Sequence, residues 1–157
     1  MKIKNQDIEQ LLQIIPDYPR TNIFHINDIS VSFSEKLKEF ASLKEYDYDD
    51  FYLFNPILEA TKLEINQPRY NRHAKLYDYV FISSDLEKIE DKKLFFKKIY
   101  HICKNAAKVM IFLKQRDYEL ESILEDLNFV ASNYVDISSE YEVLSVQKMH
   151  GWGVYDM

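Results

Sequence analysis

The sequence predicts a three-layer α/β domain, a mostly parallel sheet between helices that is closed by a C-terminal antiparallel hairpin. Three observations carry this expectation. Strand-like and helix-like segments alternate along the chain, as a parallel sheet joined by right-handed crossovers requires. Tyr77–Ile82 and Val109–Leu113 are nearly continuous apolar runs, the pattern of strands buried on both faces. Phe129–Ile137 and Tyr141–Met149 are long strand-like segments separated only by Ser138, Ser139 and Glu140, a link so short that the two must be antiparallel neighbours.

The elements follow in order. Ile8, Leu11, Leu12 and Ile15 form one apolar stripe on a helix from about Asn5 to Ile15. Asp7 and Gln10 have capping-box spacing at its start, and Pro16 and Pro19 stop it. A short strand, Asn22 to Ile26, leads to the turn residues Asn27 and Asp28. Ile29, Val31 and Phe33 then alternate with serines, as in a strand, yet Ser32 and Glu35 also have capping-box spacing. A loop followed by a helix from about Ser34 is expected. Tyr46 to Phe54 reads as a strand entering the core, and Asn55-Pro56 as the cap and first residue of a short helix ending near Ala60. Lys62 to Ile65 suggests a brief strand and Gln67 to Lys75 a basic loop. After the Tyr77–Ile82 strand comes a helix from about Asp91 to Lys104 that turns Phe95, Ile99 and Ile102 inward, with Asn105 suited to its left-handed end. Lys108 to Leu113 is the next strand. Asp117 caps a helix with Leu120, Ile123, Leu124 and Leu127 on one side, stopped at Asn128.

The 157 residues, 46% hydrophobic and 29% charged, suit one domain spanning 1–157, with no repeat or linker. Glycine is the informative absence. Gly151 and Gly153 are the only two, against roughly 11 at average usage. The phosphate-binding P-loop, the G-x-G-x-x-G turn and the G-x-S-x-G nucleophile elbow are thereby excluded, since each needs glycine to bring backbone close to its target. The sequence holds no run of eighteen apolar residues, its N-terminus is polar, and Cys103 is its one cysteine; these point to a cytoplasmic protein with no membrane partner.

Net charge is −6, which argues against a dedicated nucleic-acid binder, but the charge is uneven. Lys88 to Arg116 carries a balance of +7, whereas Asp117 to Glu142 has eight acids and no base. Solvated helix faces account for this most simply; a polarised surface meeting a charged partner is the sharper reading.

From Tyr77 to His150 the chain resembles the S-adenosylmethionine-dependent methyltransferases with a Rossmann-like fold. In that family a strand like Tyr77-Asp78-Tyr79-Val80-Phe81-Ile82 ends in a polar cluster beside the reacting methyl group, and is followed by helix, strand, helix and a closing antiparallel hairpin. Asn105-Ala106-Ala107 stands in place of the family's proline-glycine-glycine turn, and Leu127-Asn128-Phe129 in place of its glycine-phenylalanine. After the first strand the family has an acidic residue and two or three glycines; here the stretch is His25-Ile26-Asn27-Asp28-Ile29-Ser30-Val31-Ser32. Where the family's second strand ends in a carboxylate for the ribose hydroxyls, this chain has Asn55, with Glu59 a turn later. A phosphoacceptor receiver domain fits less well. Asp28 would suit its acidic pocket, but Ser83 stands where the phosphoacceptor aspartate is expected, and the hairpin is unexplained.

Ligands of open parallel sheets bind at the carboxyl ends of the strands, near the switch in strand order. The candidate cofactor-binding set is therefore Asn27, Asp28, Asn55, Glu59, Ser83 and Ser84, with Asp85 as the candidate catalytic residue near a methyl acceptor. Each alone reads equally as a turn or cap residue. His25, His73, His101, His150 and Cys103 lack metal-ligand spacing and read as structural or surface residues. Trp152 and Tyr155 in the tail could pack on the core or meet a second subunit. The expectation is a methyltransferase-like domain whose cofactor loop has lost its normal S-adenosylmethionine binding and which acts through protein contacts, with a protein partner or as a homodimer. The alternative is an active enzyme, with Asp28 near the cofactor's methionine end and Asn55 or Glu59 at the ribose.

Overall fold

A computed structural model of the chain describes residues 3–16, 18, 20–27, 31–52, 75–136 and 140–149. The elements are α1 (Asn5–Gln13), β1 (Asn22–Asn27), α2 (Val31–Lys44), β2 (Asp47–Tyr52), β3 (Tyr77–Ser83), α3 (Lys92–Ile102), β4 (Cys103–Leu113), α4 (Tyr118–Asp126), β5 (Phe129–Val135) and β6 (Glu142–Lys148). A 3-10 turn at Leu86–Lys88 joins β3 to α3. The strands form one sheet in the order β2-β1-β3-β4-β6-β5. The first four are mutually parallel, while β6 runs antiparallel to both β4 and β5. This is the mostly parallel, hairpin-closed sheet that the alternation predicts. The helix expected after Pro56, the strand at 62–65, residues 67–74 of the basic loop and the tail from 150 lie outside the described residues.

Two apolar layers sandwich the sheet. On one face α3 (Phe96, Ile99, Ile102) and α4 (Leu120, Leu124) pack on Phe24, Ile26, Val80, Ile82, Val109 and Ile111. On the other, α1 (Ile8, Leu11) and α2 (Phe33, Leu37, Ala41) cover Ile23, Phe81, Met110 and Phe112. The period-two alternation of the strands assigns these faces. Each fully buried Leu, Ile or Phe contributes about 1.5–3 kcal/mol of transfer free energy.

Element boundaries differ from expectation where packing overrides local pattern. The helix α2 begins at Val31, three residues before Ser34, because Phe33 is driven inward against the His25 and Phe112 rings, with centroids 4.7 and 5.4 Å away. In α1 the cap position belongs to Lys4; Asp7 sits in the first turn, buried, where its carboxylate meets the positive end of the helix dipole. Asp117 caps as predicted, accepting from the Leu120 amide at 3.0 Å; Asp91, read only as the approximate start of its helix, also caps, accepting from the Leu94 amide at 3.0 Å. The buried aromatic of α3 is Phe96, with Phe95 only packed against its edge.

The largest local correction lies between α3 and β4. The helix stops at Ile102, and Cys103, expected on it, is the first residue of β4, paired with Tyr77. The pairing then skips, and the left-handed residue is Ala106 (φ 66°) in place of Asn105. An L-residue there costs on the order of 1–2 kcal/mol. The irregular segment is held by Gln147 Nε2 donating to the Ala106 carbonyl (3.1 Å) and Lys148 Nζ to that of Cys103 (2.9 Å). Cys103 packs as a small hydrophobe, and burial pushes its thiol up to about 12.

Candidate functional site

The chain leaves β1 toward β2 on one side and returns to β3 on the other, so the switch in strand order falls between β1 and β3. Asn27 and Ser83 end these two strands and face each other in register. Alternation also points His25, Asn27, Phe81 and Ser83 to the α1/α2 side of the sheet. There the strand ends meet Ser34 of α2 and Tyr48 of β2.

These five polar residues, buried except for the half-buried Tyr48, form one network. Ser83 Oγ donates to Asn27 Oδ1 at 2.9 Å and lies 2.6 Å from His25 Nε2. With its proton committed to Asn27, the serine oxygen accepts from Nε2–H, which leaves Nδ1 as an acceptor. Tyr48 OH, 3.0 Å from Nδ1, supplies the donor. Asn27 Nδ2 donates to Ser34 Oγ at 3.0 Å, and that hydroxyl lies 3.3 Å from both Nδ1 and Tyr48 OH. A single tautomer thus satisfies the ring.

Electrostatics keep that ring neutral. His25 is fully buried, and its pKa is lowered to about 3, first by desolvation and then by the positive charge of Lys38. No carboxylate belongs to the network to offset an imidazolium. The Ser83–His25 spacing is that of a nucleophile and its base. Yet both side chains are within 1% of complete burial, so no substrate reaches them, and the pair rigidifies the strand ends instead.

One residue further along, the character changes. Ser84 is buried, yet its hydroxyl has no hydrogen-bond partner among the described residues. It lines an open cavity of about 380 Å³ at the ends of β3 and β4, together with Asp85, Lys92, Lys114, Arg116 and Tyr118. Asp85 Oδ1 caps the 3-10 turn by accepting from the Glu87 amide at 3.1 Å, and its Oδ2 lies 3.6 Å from Lys114 Nζ.

Of the predicted site residues, the structure brings Asn27 and Ser83 into direct contact and sets Ser84 and Asp85 on the neighbouring cavity. Asp28, Asn55 and Glu59 lie outside the described residues. Sequence reasoning missed His25, Ser34 and Tyr48 as members of the cluster. The available signal was a histidine inside the apolar strand Asn22–Asn27, which must find buried partners. Among the described residues no three His, Cys, Asp or Glu side chains converge as a metal site would require.

No protein-family model and no curated protein sequence matches the chain. Solved structures do. A Haemonchus contortus phosphoethanolamine N-methyltransferase 2 in complex with S-adenosyl-L-methionine is similar over 93% of this chain and 53% of its own, with TM-score 0.64 at 13% identity. The fold is that of the S-adenosylmethionine-dependent methyltransferases. Human N-acetylserotonin methyltransferase in complex with the same compound matches 91% of this chain and 52% of its own (TM-score 0.55, 12% identity). A release factor-specific protein-(glutamine-N5) methyltransferase from Alicyclobacillus acidocaldarius matches 92% of this chain and 90% of its own (TM-score 0.57, 11% identity). The chain thus spans about half the length of the first two enzymes and most of the third. Among the described residues no helix is long and apolar enough to cross a membrane.

Proposed function

We propose that this chain is a methyltransferase-fold domain that does not bind S-adenosylmethionine in the usual way and acts through contacts with protein. The supporting observation is the closed network at the switch point. Asn27 and Ser83, at the strand ends, spend their hydrogen bonds on each other and on buried neighbours, in the stretch where the resembling family has an acidic residue and glycines. The cofactor's sulfonium and ammonium groups are cationic, whereas the network offers a neutral imidazole, an amide and hydroxyls and no carboxylate. Opening it would leave several buried polar groups unpaired, each costing about 1–3 kcal/mol.

A thermal melt with S-adenosylmethionine and S-adenosylhomocysteine tests this. Ligand at a hundred times its dissociation constant stabilises a fold by about 2.7 kcal/mol, a shift of several degrees. No shift at millimolar ligand is expected, and a saturable rise overturns the proposal. A second reading, an active enzyme with an atypical pocket, is favoured by the partnerless Ser84 hydroxyl and the adjoining cavity, where Asp85 would lie near an acceptor. The same rise in melting temperature would support it.

A further inference from the structure

The helices α3 and α4 lie side by side on one face of the sheet, and their exposed sides carry opposite charge. On α3, Lys93 and Lys97 are exposed one turn apart, with Lys98 half-buried beside them; on α4, Glu119, Glu125 and Asp126 are exposed. Five cations elsewhere are paired: Lys38 with Asp50, Lys75 with Asp49, Lys104 with Asp78, Lys114 with Asp85 and Arg116 with Glu142. None of these six charged groups on the α3/α4 face has an ion-pair or side-chain hydrogen-bond partner among the described residues. The two strips are adjacent without neutralising each other. The same face exposes two large apolar side chains, Leu94 (48%) and Tyr118 (73%), one in the first turn of each helix.

We infer that this face is a contact surface for a second copy of the chain. The charge pattern selects the geometry. A two-fold axis between the helices and parallel to them lays α3 of each copy on α4 of the other, so that lysines face glutamates twice over. A two-fold across the helices would set lysine on lysine. Because α3 and α4 both lead back from the carboxyl ends of parallel strands, they point the same way. The favoured two-fold preserves that direction and brings Leu94 of each copy toward Tyr118 of the other. Helices of 11 and 9 residues are about 16 and 14 Å long, so the contact falls at the small end of specific interfaces. Association is accordingly weak and reduced by salt. This goes beyond the role proposed above, since it holds whether or not the fold binds a nucleoside cofactor.

Sedimentation velocity on the full chain at about 20 mM salt is the test, with concentration raised from roughly 10 to 500 μM, the span of a weak complex. The wild type should pass from monomer to dimer. A Lys93→Glu/Lys97→Glu variant and a Glu119→Lys/Glu125→Lys variant should each weaken this at least about tenfold. Mixed in equal amounts they should dimerise with each other, because every facing pair is again opposite. Both variants keep a negative net charge, so bulk attraction between them cannot imitate that rescue. A wild type that stays monomeric throughout, single variants that dimerise like the wild type, or a mixture that does not recover would each overturn the inference.

Discussion

The ends of β1 and β3 meet two environments within a span of two residues. On the α1/α2 side, Asn27 and Ser83 join His25, Ser34 and Tyr48 in a sealed network whose donors and acceptors all find partners. Immediately beyond, Ser84 carries a hydroxyl with no partner among the described residues and Asp85 borders an open cavity. The difference teaches where this fold has committed its polar groups to structure and where it still has capacity to meet something else. A ligand at the first place must break bonds already made; at the second it displaces only water and one surface ion pair.

The sharpest way to break that contrast is to empty the sealed side. His25→Leu keeps an apolar side chain but strips hydrogen bonds from Ser83 and Tyr48, and should cost about 3 kcal/mol, read from the urea midpoint at pH 7. A loss below about 1 kcal/mol would mean the network holds nothing together. The next effect is on pH. The His25 pKa is lowered from 6.5 to about 3, so between these values the unfolded chain takes up a proton that the folded one refuses. Stability is therefore fully present above pH 6.5 and falls as pH drops toward 3, by about 2 kcal/mol between pH 7 and 5. Denaturant midpoints at the two pH values should show this slope in the wild type, and His25→Gln should remove it. The smallest effect belongs to the open side. Ser84→Ala deletes a hydroxyl with nothing to lose, and its stability, read from the melting temperature, should match or slightly exceed that of the wild type, by no more than about 1 kcal/mol.

Much of the fold could be read before any coordinates. The Tyr77–Ile82 run, the Asp117 cap and the short link before the last strand are local signals, and local signals survive folding. The start of α2 was not legible. The alternation of Ile29, Val31 and Phe33 is strand-like in sequence, whereas in the structure Val31 and Phe33 already belong to the helix, with Phe33 packed on residues from the strands. The bulge at Ala106 was hidden for a similar reason, since its supports, Gln147 and Lys148, lie more than forty positions away. At the candidate site, the strand-end rule found Asn27, Ser83, Ser84 and Asp85 because topology alone selects them. His25, Ser34 and Tyr48 join through pairings as distant as 58 positions, which no spacing rule anticipates.

The place of β6 in the sheet has a consequence for the order of events at the ribosome. Although it is the last strand of the six, it lies between β4 and β5, both made earlier. Until residues 142–148 have emerged, β4 has one bare edge and β5 has no strand beside it at all. Synthesis runs from the N-terminus, and pairings of such long range are slow to form. Between the completion of β4 and the emergence of β6 the nascent protein therefore carries sticky, half-finished edges, and one late segment closes both together.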